Sequence, residues 1–239
     1  MKTMRKLFTA AVMTAASVAG VSGVAHAEPV FSGNIALTTD YQFRGISQSL
    51  ENPAVQGGFD YGNGIFYAGV WGSSIDFGVE GTAEVDLYAG IKPTLGPIAL
   101  DIGVVGYLYP GLDDGAAEAD YLELKAAGSI SPAEGLTLGA GAFYSPEFTF
   151  DGGDGLYLEA NGAYAFTDAF SVSGAVGQQS VDAAAYFVDG ATATDSYTTW
   201  NVGGTANAYG FGLDLRYVDT DLDNDLADER VIFTIKRAL

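Results

Sequence analysis

Apolar and polar residues alternate with a period of two along many short stretches of this chain. The clearest stretch sets Ile35, Leu37, Thr39, Tyr41 and Phe43 against Asn34, Ala36, Thr38, Asp40, Gln42 and Arg44. A two-residue period places the two kinds of side chain on opposite faces of a β-strand. We therefore predict a strand over residues 34–44 with one apolar face and one polar face.

The same two-faced pattern recurs along the rest of the chain. It is clear at residues 84–91, 98–104, 122–125, 156–161, 211–217 and 230–236, and weaker at 53–61, 64–72, 135–145, 169–179 and 197–207. Together with the first stretch, these predict about twelve strands. An even number of antiparallel strands is typical of outer-membrane barrels.

The predicted connections alternate between short and long. Short turns are predicted at residues 63–64, 92–97, 131–135, 167–168 and 209–210, and long links at 45–52, 73–79, 110–119, 146–154, 180–196 and 220–229. A soluble sandwich with Greek-key links has no reason to follow this alternation. We predict an all-β fold, an up-and-down antiparallel transmembrane barrel with short periplasmic turns and longer extracellular loops.

The N-terminus has the features of an export signal. Lys2, Arg5 and Lys6 precede an apolar stretch over residues 7–25, which ends in a small-x-small site closing on Ala27. We predict a cleaved signal peptide over 1–27, with a membrane anchor as the alternative, and a single barrel domain over 28–239. No later apolar run approaches 18 residues, so a closed barrel is the remaining way to span a membrane.

Composition narrows the class of partner. The chain has 10 basic and 30 acidic residues, and three of the basic ones lie in the predicted signal peptide. Nucleic acid is excluded as a partner, because phosphate binding needs clusters of Lys and Arg.

The apolar fraction of 48% argues against disorder. Cysteine is absent, so no disulfide contributes to stability.

Catalytic and metal-binding residue types are scarce. The single histidine, His26, lies in the predicted signal peptide, which removes His-based and Cys-based nucleophile systems and ordinary zinc sites. We therefore predict no enzyme and no cofactor. The acidic run from Asp219 to Asp225 lacks the glycine and glutamate positions of an EF-hand. A solvated loop is the main interpretation of that run, and weak calcium binding is the alternative.

Residues 32–73 resemble a known family of membrane proteins. The matching pieces are YQFRGISQS at 41–49, PAVQGGFDY at 53–61 and YAGVW at 67–71. In these pieces the chain is similar to the TorF family of outer-membrane porins. The resemblance implies a barrel with a porin role and supplies no substrate.

These patterns favour a porin-like channel in the bacterial outer membrane. We expect passive diffusion of small hydrophilic solutes or ions, contact with outer-membrane lipid, and help from the barrel assembly machinery during insertion. About twelve strands predict a narrow pore. The apolar centre of the 180–196 link, residues 183–188, either tucks inward as a constriction or extends the neighbouring strands. The alternative function is a structural or adhesive barrel without a conducting pore.

The inward phase of the strands predicts which charged residues line the pore. They are Asp40, Arg44, Glu84, Asp86, Asp101, Glu123, Lys125, Glu159, Asp214, Arg216 and Lys236. In mid-barrel, acids outnumber bases, which predicts a modest cation preference. Alternatively, these residues form ion pairs along the wall, such as Glu123 with Lys125 and Asp214 with Arg216. Arg44 is either a charge at the pore mouth or a partner of a wall carboxylate.

The outward phase predicts the membrane-facing surface. We expect Leu100, Leu124, Leu158 and Leu213 to face lipid. Aromatic residues near strand ends are expected to form interfacial girdles. These aromatic residues are Tyr41, Tyr61, Trp71, Tyr107, Tyr144, Tyr164, Trp200 and Tyr217.

Overall fold

A computed structural model describes residues 29–78, 81–112 and 119–239 of the chain. The predicted signal peptide lies outside these ranges and stays a prediction. Among the described residues, no helix is long and apolar enough to cross a membrane.

In the described ranges, twelve long antiparallel strands form the body of the protein. They are β1 (Val30–Thr38), β2 (Ala54–Asn63), β3 (Phe66–Ser74), β4 (Ala83–Ile91), β5 (Ile98–Leu108), β6 (Tyr121–Ala133), β7 (Leu136–Phe148), β8 (Gly153–Thr167), β9 (Phe170–Val181), β10 (Ser196–Ala208), β11 (Phe211–Thr220) and β12 (Arg230–Ala238). Each strand pairs with the next one along the chain. The predicted number of strands and their up-and-down order are confirmed.

The first and last strands pair with each other and close the sheet. Their register runs from Asn34 opposite Ala238 to Thr38 opposite Thr234. Closure leaves no open sheet edge, so each strand finds backbone hydrogen bonds on both sides. The all-β barrel predicted from the sequence is therefore the observed fold.

Connections at the two ends of the barrel differ in length. At one end, here called the short-turn end, the links are residues 64–65, 92–97, 134–135, 168–169 and 209–210. At the long-loop end they are 39–53, 75–82, 109–120, 149–152, 182–195 and 221–229. The 149–152 link is shorter than predicted, because β7 continues through Phe148 after a register shift beyond Ser145.

The outer wall of the barrel is apolar. Leu124 and Leu158 are exposed there, and Leu100 and Leu213 lie on the same phase and are half-buried by neighbours. The outer face also carries exposed aromatic residues, including Tyr144, Tyr164, Trp200 and Tyr217. An apolar band of this kind has the character of a lipid-facing surface.

Three residues of the predicted aromatic girdles lie inside the barrel instead. Trp71 and Tyr107 occupy the inward phase of β3 and β5, and Tyr41 packs edge-on against Trp71 with ring centres 5.5 Å apart. Tyr107 stacks on Tyr121 at 4.4 Å. The girdle prediction was wrong for Trp71 and Tyr107 because the face of a residue is set by its phase in the strand and not by its nearness to the strand end. It was wrong for Tyr41 because that residue follows β1 and belongs to a segment that turns into the barrel.

The predicted first strand begins four residues too late and runs six residues too far, because β1 spans Val30–Thr38. It ends at Thr38, and residues 40–49, here called the inward segment, turn into the barrel. Within this segment Gln42–Phe43 pairs with Ile46–Ser47 in a small hairpin. The alternation over residues 39–44 therefore belongs largely to a separate hairpin, which has the same two-residue period as a wall strand.

The 182–195 link folds against the long-loop end, and its Phe187 belongs to the same buried cluster as Tyr107 and Tyr121. Phe187–Asp189 pairs with Thr192–Thr194 as a hairpin of its own. The Tyr186 hydroxyl donates to the Thr149 carbonyl at 2.6 Å, and the Phe187 ring packs against Tyr197 at the long-loop end. The centre of this link therefore packs inward, as one of the two predicted alternatives, against the same cluster as Phe43 and Ile46 of the inward segment.

Candidate functional site

Arg44, at the tip of the inward segment, connects that segment to the opposite side of the barrel. Its Nη2 donates to both carboxylate oxygens of Glu123 on β6, at 2.8 and 2.7 Å, and its Nη1 donates to Oε1 of Gln179 on β9 at 2.7 Å. The Arg44 carbonyl accepts a hydrogen bond from the Tyr197 hydroxyl at 3.0 Å. The segment between β1 and β2 therefore crosses the lumen and is held at its far end.

Aromatic rings surround the Arg44 guanidinium. It lies 4.6 Å from the ring centre of Phe43, 5.4 Å from that of Phe143 and 4.2 Å from that of Tyr157. Burial is the largest influence and acts to lower the pKa of Arg44, but the Glu123 carboxylate, together with Tyr107, Tyr121 and the hydrogen bond to Glu123, raises that pKa above its usual range. Arg44 therefore stays charged, and its charge is matched by Glu123.

The tip of the segment fits closely against the wall. Gly45 has a φ of 85°, a left-handed conformation that favours glycine. A Cβ at this position would collide with Oγ1 of Thr199 on β10 and Cγ2 of Thr220 on β11. Both the backbone conformation and the contact therefore require glycine.

Asp40 organises the start of the inward segment. Its carboxylate accepts hydrogen bonds from the Ser47 hydroxyl at 2.7 Å and the Ser49 hydroxyl at 2.9 Å. It also pairs with Arg230 of β12 at 3.1 Å. The two arms of the segment are thus tied to each other and to the barrel wall.

Two further acids are buried on the wall beside this segment. Glu84 and Asp86 lie on the inward face of β4, and Glu84 accepts a hydrogen bond from the Tyr41 hydroxyl at 2.5 Å. Burial, followed by the charge of Glu84, raises the pKa of Tyr41, so Tyr41 remains a donor. Among the described residues, Asp86 Oδ1 has no hydrogen-bond partner.

Two other charged networks are found on the inner wall in the described ranges. Asp101 accepts from Lys125 Nζ at 2.8 Å and from the Tyr67 hydroxyl at 2.7 Å, and Lys92 lies 3.7 Å away. Burial lowers the pKa of Lys92, and nearby Asp101 opposes this shift. Lys92 and Lys125 therefore both face the Asp101 carboxylate.

The second network joins three neighbouring strands. Arg216 lies 3.1 Å from Asp214 on the same strand, and donates to Asn201 Oδ1 at 2.7 Å and to Ser173 Oγ at 2.9 Å. These partners lie on β9, β10 and β11. The network braces adjacent strands rather than crossing the lumen.

All eleven predicted pore-lining residues lie on the inner side of the barrel wall or in the inward segment. Asp40 and Arg44 lie in that segment and not on a strand, which corrects their predicted position. Of the two predicted wall pairs, Asp214 with Arg216 is present, whereas Glu123 pairs with Arg44 and Lys125 pairs with Asp101. That these residues line a conducting pore stays a prediction.

Sequence reasoning missed the neutral residues that hold Arg44. Gln179, Tyr157 and Tyr197 carry no formal charge and belong to no recognisable motif. Their inward phase was the only available signal, and it does not distinguish them from other lumenal residues.

A cavity of about 170 Å³ lies between the inward segment and the wall. Gln42 and Gly45 line it from the segment, and Asn201, Arg216 and Lys236 line it from β10, β11 and β12. The cavity therefore has a polar wall that faces the hairpin tip.

The acidic run after β11 does not assemble a metal site. Asp221 accepts from the backbone N–H of Thr198 at 2.7 Å, and Asp219 accepts from the Tyr217 hydroxyl at 2.8 Å. In the described part of the chain, no three acidic, His or Cys side chains are grouped so that they could hold a metal ion. The Asp219 and Asp221 carboxylates instead accept separate local hydrogen bonds.

Solved structures with a similar fold are outer-membrane proteins. The NanC porin is 8% identical, with a TM-score of 0.57, over 87% of this chain and 98% of that one. An outer membrane channel from Pseudomonas putida F1 is 12% identical, with a TM-score of 0.52, over 92% of this chain and all of that one. The fold is thus the β-barrel of outer-membrane porins and channels.

A family model matches residues 24–239, and the chain belongs to this family, which is described as a bacterial protein of unknown function, Gcw_chp. Comparison with curated proteins gave no match. The narrower TorF assignment stays a prediction.

Proposed function

We propose that this protein is an outer-membrane channel for passive diffusion of small hydrophilic solutes, narrowed by its inward segment. The observation that carries the proposal is a closed barrel with an apolar outer wall, a charged inner wall and a segment that crosses the lumen. Both ends of the described chain lie at the short-turn end, which would face the periplasm. Insertion would use outer-membrane lipid and the barrel assembly machinery.

The size of the barrel supports a narrow passage. Eight strands leave room for side chains or one small ligand, whereas about 16 to 18 strands leave an open aqueous channel. Twelve strands with an inserted hairpin fall between these limits. The residues around Arg44 would then determine which solutes pass.

Uneven pairing of the lumenal charges supports a modest cation preference. Glu123 and Asp214 are matched by Arg44 and Arg216. Within the described ranges, Glu84, Asp86 and Glu159 form no ion pair. Wall carboxylates without a cationic partner favour passage of cations.

Planar-bilayer recordings test both parts of the proposal. We expect single-channel currents from the refolded barrel and a reversal potential of cation-selective sign across a potassium chloride gradient. Glu159→Gln should move that potential towards zero. Glu134→Gln is the matched control, because Glu134 is exposed in the turn between β6 and β7. Anion selectivity of the wild-type barrel would contradict the cation preference.

A structural or adhesive barrel is the second candidate, favoured by the anchoring of the inward segment at both arms and at its tip. It predicts that folded wild-type protein conducts no current. The expected lack of enzymatic activity accompanies both candidates and stays a prediction.

A further inference from the structure

The cavity beside the inward segment has one lining cation, Lys236, that forms no ion pair within the described ranges. Its charged lining residues are Asp40, Arg44, Asp214, Arg216 and Lys236. The first four have partners of opposite charge: Arg230 at 3.1 Å from Asp40, Glu123 at 2.7 Å from Arg44, and Asp214 and Arg216 at 3.1 Å from each other. Lys236 forms no ion pair with any residue in the described ranges.

Gln42 presents an unused hydrogen-bond acceptor at the same cavity. Its Nε2 donates to Asp40 Oδ2 at 2.5 Å. Because an ionised carboxylate only accepts hydrogen bonds, the amide nitrogen must face Asp40 and the amide oxygen must face away. That oxygen is buried and has no partner among the described residues. A buried acceptor without a donor costs free energy, which a bound donor would relieve.

The remaining surface of the cavity includes aromatic rings. Trp71, Tyr107 and Phe143 contribute to its lining. A volume of roughly 150 Å³ is enough for a six-membered ring, so the observed 170 Å³ admits the ring of a sugar-like solute. Aromatic surface with a few placed polar groups is the usual composition of a small-molecule site.

We propose that this cavity binds a small hydroxylated organic anion, whose carboxylate pairs with Lys236 and whose hydroxyl group donates to Oε1 of Gln42. The inference rests on the proposed function only for the route by which the solute arrives. It is compatible with a cation preference of the whole pore, because the unpaired acids lie on β4 and β8, whereas Lys236 lies on β12.

Tryptophan fluorescence can measure this binding without any current. The chain has two tryptophans, of which Trp71 lines the cavity and Trp200 lies on the outer wall. The Trp200→Phe variant therefore leaves a single reporter in the cavity. D-glucuronate is the probe, and D-glucose and potassium chloride at matched ionic strength are the controls. We expect saturable binding of glucuronate and much weaker binding of glucose.

Variants in the Trp200→Phe background locate the site. Lys236→Gln should weaken glucuronate binding by at least about tenfold, as loss of a charged hydrogen-bond partner does, and Lys236→Arg should retain it. Lys125→Gln is the matched control, because Lys125 lies on the inner wall outside this cavity and pairs with Asp101. Circular dichroism establishes that each variant is folded.

Several outcomes would overturn the site. Unchanged binding in Lys236→Gln, equal loss in Lys125→Gln, or the same spectral change with chloride alone would each do so. If the barrel conducts but does not bind glucuronate, the proposed binding site is wrong and the proposed channel function stands. If the barrel binds glucuronate but never conducts, the proposed channel function is wrong and the proposed binding site stands.

Discussion

Two arginine–carboxylate pairs inside the barrel have the same chemistry but different surroundings. The Arg44 and Glu123 side chains are 5% and 1% exposed, whereas Arg216 and Asp214 are each 16% exposed. Arg44 joins a hairpin to strands across the lumen. Arg216 joins strands that already pair through their backbones.

The difference shows what each pair contributes. Two buried charges lose their hydration, so their attraction offsets that cost only while both are present. The Arg44 pair therefore determines where the inward segment lies more than it adds net stability. The Arg216 pair is partly hydrated and reinforces a geometry that the barrel already has.

The largest effect is expected from breaking the buried pair. Arg44→Ala should lower the free energy of unfolding by about 3 to 5 kcal/mol, because Glu123 is left as an uncompensated buried charge. Urea unfolding of the refolded barrel measures this loss. Release of the segment should also increase single-channel conductance in planar bilayers.

The double variant Arg44→Met with Glu123→Gln is the control for that prediction. It removes both charges, so much of the lost stability should return. If Arg44→Ala lowers the free energy of unfolding no more than a substitution of Arg216 does, the two pairs do not differ in the way described above.

An arginine placed on the outer face of the barrel wall should cause the next largest loss of stability. Leu158 points outward, directly before the inward-facing Glu159. Leu158→Arg should cost about 2 to 4 kcal/mol near the middle of a bilayer. Unfolding from lipid vesicles measures this, with Leu158→Met as the apolar control. Equal stability of the two variants would contradict a lipid-facing position.

The smallest effect is expected at the partly hydrated pair. Asp214→Asn keeps the shape of the side chain, and its amide oxygen can still accept from Thr205 or Arg216. We expect a loss of about 1 kcal/mol in the free energy of unfolding. Urea unfolding in parallel with Arg44→Ala provides the comparison. A loss as large as that of Arg44→Ala would show that both pairs are equally essential.

Sequence reasoning succeeded where the face of a residue depends only on its strand. Leu158 and Glu159 were assigned to opposite faces because neighbouring residues in a strand point in opposite directions. It failed for Trp71 and Tyr107, although the same rule applies to them, because they were judged by their nearness to strand ends. The partners of Arg44 could not be predicted, since Glu123 and Gln179 are 79 and 135 residues away along the chain.

By itself, the sequence determined the barrel: twelve alternating stretches, separated by turns and loops of alternating length, suffice to define strands, their faces and their order. Only the tertiary structure decided that β1 ends at Thr38, that residues 40–49 enter the lumen and that Lys236 forms no ion pair within the described ranges. The reason is physical. Alternation is a local property, shared by a wall strand and an inserted hairpin, whereas ion pairing depends on which distant residues barrel closure brings together.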